Sequence, residues 1–480
     1  MQEPKQTAAE QTTLCVDLDG TLIRTDTLFE SVCALLGQNI LYGLLLPLWL
    51  LRGKVYLKQQ IASRVDLQVE LFPYNDQLLK YLEDQKAAGR RLVLATASHT
   101  KYATRIAEHV GVFDAVIATD SGANMAGKSK LEQIKTLVGG QAFDYVGNSK
   151  VDVAIWQDAN AAVVVNPLPG VLKAAEKCTT VTQVIDDQPA RYAQLWKAMR
   201  PHQWLKNILI FVPLLMAHMF SQAHLIVQAS LAFVAFSLCA SSVYLLNDLF
   251  DLKSDRQHPS KRFRPFASGS LGIVDGFFWT VVLLAVAFGI AMLLPADFVG
   301  VLGLYYLCTL AYSAVLKRAA IIDAIVLAGL YTLRLIAGAA AISVPLSFWL
   351  LAFSIFIFLS LAFIKRFSEL QLQLAEGKDR IAGRAYREID METLAQLGTS
   401  SGYLAVMVLA LYINSDVVAT LYSRPEALWI FCPMMLYWIS RLWLLTRRGE
   451  MDDDPVVFTI QDRRTWWLAV IATVAFGVAL

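Results

Sequence analysis

The sequence predicts an open parallel α/β domain with a helical cap, followed by an all-α bundle of about nine membrane-crossing helices. Residues 1 to 190 alternate short apolar runs with helical patterns, and this alternation predicts the first domain. Residues 191 to 480 consist mostly of long apolar stretches, which predict the second. The composition agrees. The 480 residues are 56% hydrophobic and 17% charged, with a mean hydropathy of +0.48, more apolar than a soluble chain of this length.

The net charge of +2 gives no reason to expect a nucleic-acid partner. Cys15, Cys33, Cys178, Cys239, Cys308 and Cys432 are scattered without a CxxC pair, as expected of buried thiols in a reducing compartment. The opening MQEPKQTAAEQTT has no apolar core, so no cleaved signal peptide is expected.

In the first domain Leu14–Asp19 (LCVDLD) is an apolar run ending in acids, the pattern of a buried parallel strand with a polar tip. Similar runs recur at Arg91–Ala97, Ala115–Asp120, Phe143–Gly147 and Ala161–Asn166. Helical patterns such as Tyr102–Val110 and Lys130–Val138 lie between them. Such a sheet carries its site at the carboxyl ends of its strands. Residues 24 to 90 supply the cap. Within it, Ile40–Leu51 (ILYGLLLPLWLL), counted from Val32, is almost long enough to span a bilayer, but a single crossing is excluded because it would separate Asp17 from Thr96. It reads either as an interfacial helix with Trp49, Arg52 and Lys54 at the headgroups or as a buried cap helix.

The acids at these strand tips form a recognisable series. DLDGTL, Asp17 to Leu22, resembles the first motif of the haloacid dehalogenase superfamily of phosphohydrolases. The likeness continues through Thr96, Lys128 and GNSKVD, Gly147 to Asp152, and covers residues 12 to 175. It implies a Rossmann-like fold in which Asp17 is the nucleophile, Asp19 the general acid/base, and Thr96 and Lys128 hold phosphoryl oxygens. It also implies Mg²⁺ held by Asp17, Asp19, Asn148 and Asp152. A carboxylate can attack phosphorus only where such cations screen the two negative charges. Asn148 departs from the pattern, which has an acid there, and removes one negative charge. A degenerate or regulatory domain is the alternative.

The second domain offers apolar spans near Asn207–Phe220, Leu225–Leu246, Phe277–Leu294, Phe298–Leu316, Ile321–Ala341, Phe348–Phe363, Leu397–Ile413, Leu428–Leu445 and Trp466–Leu480. Between the second and third lies NDLFDLKSDRQHPSKRFRPFASG, Asn247 to Gly269. Asn247, Asp251 and Asp255 recur every fourth residue with Asp248 one step aside, so a continuing helix places their oxygens on one face. Carboxylates that close call for a hard divalent cation, and Mg²⁺ fills its remaining positions with phosphate oxygens and water. Lys261, Arg262 and Arg264 offer cations to the same anion. On this side of the membrane the loops hold Lys253 and Arg256 as well, then Lys317 and Arg318, then Lys365, Arg366, Lys378, Arg380, Arg384 and Arg387, and last Arg447, Arg448, Arg463 and Arg464. The other side holds Arg424 alone. The positive-inside rule makes the acid-rich loops, and the domain before the first span, cytoplasmic. A multi-pass protein of the inner (cytoplasmic) membrane is expected.

NDxxDxxxD followed by HPSKRFRPFASG, together with RPHQWLKN (Arg200 to Asn207) and YSAVLK (Tyr312 to Lys317), resembles the UbiA-type intramembrane prenyltransferases over nearly all of residues 195 to 480. The resemblance implies a helical bundle with a polar cavity in which these acids hold Mg²⁺ and a departing diphosphate. Aromatic prenyltransferases of the family carry a second acid cluster. Here the matching loop, Gly377–Asp390, is mainly basic, and Asp323 stands alone after Tyr312 and Lys317. Arg334 lies deep in the fifth span, either as a structural pair or, with Lys206, Lys317 and Arg264, as a phosphate ligand.

One acid cluster with several cations is similar to the branch that transfers 5-phosphoribosyl from phosphoribosyl pyrophosphate to a polyprenyl phosphate. The fused phosphatase-like domain then suits removal of the 5-phosphate. The alternative is an aromatic prenyltransferase making a quinone precursor. The partners implied are a polyprenyl-phosphate lipid, phosphoribosyl pyrophosphate or a prenyl diphosphate, the bilayer and, as an option, a homo-oligomer. A transporter fits less well, because the charges gather on one side.

Overall fold

The computed structural model describes every residue except 1–11, 121–123, 376, 378–383, 452–454 and 480. The chain forms two compact units. One comprises Met1–Arg200 with Tyr244–Val281, the other Pro201–Val243 with Val282–Leu480. The acid-rich segment thus belongs to the same unit as the N-terminal domain.

In the first unit six strands, β1 (Thr13–Val16), β2 (Leu92–His99), β3 (Ala115–Thr119), β4 (Phe143–Gly147), β5 (Ala161–Val165) and β6 (Thr180–Ile185), form one sheet in the order β3-β2-β1-β4-β5-β6. Every pairing is parallel. Leu14, Val16, Leu92, Leu94 and Val146 enter the core on one face, while Cys15, Val93, Ala95, Tyr145, Ala162 and Val164 enter the core on the other. Burial on both faces is why these strands read as continuous apolar runs. The strand order reverses at β1, between β2 and β4, so a crevice opens at their carboxyl ends.

The cap follows β1. Its helix Thr27–Gln38 is started by Asp26, whose carboxylate accepts from the Leu28 and Phe29 amides at 2.9 and 3.1 Å. Ile40–Leu51 and Lys54–Ala62 complete it. Glu30 of the first cap helix makes a buried ion pair of 2.5 Å with Arg256, the next-to-last residue of the short helix Leu252–Gln257.

Seven helices are long and apolar enough to cross a membrane: Ala223–Phe250, Ile273–Ala291, Ala296–Ala314, Ile322–Ala341, Phe348–Ala375, Glu388–Ile413 and Pro425–Arg447. These correspond to seven of the nine expected spans; the other two are not confirmed among the described residues. The proposed first span is a 3-10 segment, Pro201–Phe211, and a short helix, Val212–Met216. Pro213 sits in that helix's first turn, and His218 just beyond it has φ 57. The proposed last span is a helix of 17 residues, Arg463–Ala479. In the second unit Ala324, Ala328, Tyr331 and Leu335 pack on Ile357, Phe358 and Leu361, and Tyr331 stacks on Phe358 at 5.2 Å. At Gly338 the helix meets the Pro201–Phe211 segment so closely that any β-carbon would strike the Ile210 carbonyl. Outward residues such as Met292, Leu293 and Leu307 are apolar and exposed, the surface lipid requires.

Candidate active sites

The polar tips of β1, β2 and β4 meet in the crevice. Asp17, 8% exposed, accepts from Lys130 Nζ at 2.8 Å, and the Tyr145 hydroxyl also accepts from that ammonium at 2.9 Å. Burial pushes the Asp17 carboxyl up to about 7, against the pull of Lys130 beside it. Asp19 is fixed by donors on two elements: the Thr27 amide at 2.8 Å and the Ser98 hydroxyl at 2.5 Å, with Thr96 Oγ1 at 3.5 Å. Thr96 itself is fully buried. Both Asp152 oxygens are engaged, Oδ1 by the Tyr145 hydroxyl and Oδ2 by the Asn148 amide, the Ser149 amide and the Ser149 hydroxyl. Asp152 therefore organises the loop. The Asn148 side-chain amide lies against Gly20, at φ +75, in the space a β-carbon would fill.

One expected residue is displaced. Lys128 is exposed at the first position of the helix Lys128–Val138, and Lys130, not Lys128, reaches Asp17. The buried face of that helix is Lys130, Ile134 and Val138. The cap also contributes a lysine. Lys58 donates to the Ala97 carbonyl at 2.6 Å and to Asn124 Oδ1 at 2.8 Å, and burial lowers its pKa.

At the acid-rich segment the long helix ends at Phe250 instead of continuing. Asp251 has φ −96 and ψ 11 and starts Leu252–Gln257. The i−4 spacing survives, since the Asp251 amide donates to Asn247 O at 2.9 Å and the Asp255 amide to Asp251 O at 2.8 Å. The acids that converge are Asp248 and Asp255, each 3% exposed. Arg264 bridges them, 2.8 Å from Asp255 Oδ2 and 3.2 Å from Asp248 Oδ1, and Arg200 pairs with Asp248 as well. Burial raises the Asp255 carboxyl above its ordinary range, and Arg264 opposes that shift. Asn247 and Asp251 are half-buried, whereas Lys261 and Arg262 are exposed. Among the described residues no three His, Cys, Asp or Glu side chains form a ready-made metal cluster. The donors present are nevertheless carboxylate and amide oxygens, the hard ligands Mg²⁺ takes.

The second unit holds two further clusters. Arg334, 5% exposed, donates to Asn207 Oδ1 at 2.8 Å and to the Leu330 carbonyl at 2.5 Å. Phe236, Tyr305 and Tyr331 surround its guanidinium at 5.2 to 5.3 Å. Lys206 lies 5.9 Å over the same Tyr331 ring. These hydrogen bonds are to neutral oxygens, so a buried positive charge remains available to an anion. Leu209 and Leu335 begin an apolar cleft of about 390 Å³ that runs on through Leu350, Phe353 and Trp438.

The other cluster is centred on Asp323, fully buried. The Tyr312 hydroxyl donates to it at 2.7 Å, Arg384 at 2.8 Å, and Arg366 Nε lies 2.7 Å from its second oxygen. Glu369 takes the outer sides of both arginines. Next to Asp323, Ile321 adopts φ 66, rare for a β-branched residue, and its amide donates to the Tyr386 hydroxyl at 2.9 Å. Lys317 is half-buried nearby in sequence. Lys378 and Arg380 of the basic loop lie outside the described residues. Lys58, Lys130, Ser98, Arg200, Arg366 and Arg384 are the site residues that motif spacing passed over.

A parallel sheet with an acid–lysine pair at its switch point, joined to span-length helices with an acid-rich end, defines an α/β domain fused to an integral membrane domain. Residues 208–470 match the UbiA prenyltransferase family and residues 14–155 match the haloacid dehalogenase-like hydrolases. The chain belongs to the UbiA prenyltransferase family. A Sinorhizobium fredii protein, y4nM, is 33% identical over 97% of this chain and 91% of its own length. Decaprenyl-phosphate phosphoribosyltransferase of Mycobacterium tuberculosis is 31% identical over 61% of this chain and 99% of its own. Among solved structures, a UbiA homologue of Archaeoglobus fulgidus bound to DMAPP and Mg²⁺ aligns with 15% identity and a TM-score of 0.45, covering 60% of this chain and 98% of that one.

Proposed function

We propose that this protein transfers 5-phosphoribosyl from phosphoribosyl pyrophosphate to a polyprenyl phosphate in the cytoplasmic membrane, and that its N-terminal domain then removes the 5-phosphate on the cytoplasmic side. The observation that carries the reading is its likeness to a decaprenyl-phosphate phosphoribosyltransferase across nearly all of that relative's length. In the transfer, an oxygen of the lipid phosphate attacks the anomeric carbon. The bond from that carbon to diphosphate breaks, and diphosphate leaves with the electron pair. Asn247, Asp248, Asp251 and Asp255 would hold Mg²⁺, whose charge would offset that of the departing diphosphate. Arg264 and Arg200, now on the carboxylates, turn to phosphate oxygens, with Lys261 and Arg262 as further ligands. In the second unit Lys317 and Tyr312 are candidate phosphate ligands by themselves. Lys206 and Arg334 hold phosphate, and the apolar cleft beside them takes polyprenyl chain.

In the hydrolytic step Asp17 attacks phosphorus, the ribose 5-oxygen leaves, and Asp19 gives it a proton. Water then attacks the phosphorus of the aspartyl-phosphate and gives a proton back to Asp19. The bond from phosphorus to the Asp17 oxygen breaks, and inorganic phosphate leaves with the Asp17 carboxylate restored. Thr96 and Lys130 bind the phosphoryl oxygens, and Asp17, Asp19 and Asn148 fit a single Mg²⁺. The prenyl-transfer alternative requires a second free acid cluster. Asp323 and Glu369 are both taken up by Arg366 and Arg384, which favours the phosphoribosyl reading. The test is to incubate membranes with labelled phosphoribosyl pyrophosphate and polyprenyl phosphate and to follow label into the lipid fraction. A parallel incubation uses a prenyl diphosphate and an aromatic acid. Label in the second product alone would replace this reading with the alternative.

A further inference from the structure

The cap contains a helix that faces the wrong way for a soluble domain. In Ile40–Leu51 the one buried side chain is Trp49, 8% exposed, which packs inward with the Arg64 guanidinium 5.0 Å over its ring. Ile40, Leu41, Leu44, Leu48 and Leu51 are instead 56 to 84% exposed, at the spacing of one helical stripe. Contiguous apolar surface of this kind marks a binding face. No Asp or Glu occurs between Ser31 and Val65, while Arg52 and Lys54 follow the stripe and are exposed.

Two contacts within the first unit say what covers the stripe. A β-carbon on Gly37 would lie 4.0 Å from the carbonyl oxygen of Phe250, the last residue of a span-length helix. Gly269, four residues before the span-length helix that begins at Ile273, packs directly on Arg24 and Pro73 at the base of the cap. The cap is therefore held where the chain leaves one span and enters the next. We infer that the apolar face of Ile40–Leu51 lies in the headgroup layer of the bilayer, with Arg52 and Lys54 on the phosphates of anionic lipids. Docked in this way, the cap gives the Asp17 crevice access to phosphates carried on lipids in preference to those free in solution. The surface assignment itself does not depend on which reaction either site performs.

The test uses the full chain in vesicles of phosphatidylcholine and phosphatidylglycerol, with Cys178→Ser and Cys308→Ser as background. A nitrobenzoxadiazole label is placed at Leu48→Cys and, as an aqueous control, at the exposed Glu83→Cys. The Leu48 label is expected to be blue-shifted, strongly quenched by spin-labelled lipid and protected from iodide, with the reverse at Glu83. Adding Arg52→Glu and Lys54→Glu should weaken the lipid quenching at Leu48. Quenching of Leu48 by iodide as efficient as at Glu83 would overturn the inference. So would protection from both quenchers, which would mean that protein covers the stripe.

Discussion

The two acid sites of the first unit solve one electrostatic problem by different means. Asp17 is balanced by a single ammonium on a side chain only 5% exposed, locked between the carboxylate and the Tyr145 hydroxyl. Asp248 and Asp255 are balanced by two arginines at the rim, with side chains 22% and 28% exposed. Removing Lys130 would strand a buried charge, whereas Arg200 and Arg264 can turn toward an arriving phosphate at small cost. The first site is preformed; the second holds its cations in reserve.

Substitutions that break this contrast should be graded accordingly. Asp17→Asn should lower removal of the phosphate by about a thousandfold or more, because the amide keeps the shape but not the nucleophile. Transfer should be spared, so the phosphorylated lipid accumulates, as chromatography of the lipid fraction would show. An unchanged ratio of phosphorylated to free lipid would remove the N-terminal domain from this step. Lys130→Ala should cost hydrolysis about a hundredfold, with Lys128→Ala close to wild type. Equal losses would contradict the preformed pair.

In the reserve-type site Asp251→Asn should reduce transfer about a hundredfold while the protein stays folded and inserted, because the loss falls on cation binding. Wild-type rates in the purified variant would sink the assignment. Arg334→Ala should lower transfer about tenfold more than Arg424→Ala, assayed at saturating and limiting lipid phosphate. The smallest effect on rate is expected from Arg256→Met, which should chiefly destabilise, by about 3 kcal/mol, since it leaves Glu30 buried and unpaired. Glu30→Leu added to it should restore much of that loss, read by thermal unfolding in detergent. A fully additive double variant would deny the pair its role.

Much of this contrast was legible beforehand, because strand tips and helical spacing are local patterns. DLDGTL announces the end of β1, and the acids of Asn247–Asp255 keep their four-residue interval through the break at Asp251. The misplaced lysine had a signal too. Ile134 and Val138 are the apolar face of their helix, and stepping back four residues lands on Lys130, not Lys128. Lys58 gave none, since its partners lie 39 and 66 residues away, and the pairing of Arg384 with Asp323 spans 61 residues that only the fold brings together. Seven of the nine expected spans are matched by span-length helices, and at the first of the others Pro213 divides the apolar stretch.

The ion pair between Glu30 and Arg256 also sets an order of biosynthesis. Its partners are 226 residues apart, and the ribosome adds about 5–20 residues per second, so Glu30 waits about ten to forty-five seconds for Arg256 to be made. By then the whole of Ala223–Phe250 has been translated. The first unit thus completes this ion pair only after that span-length helix has been translated.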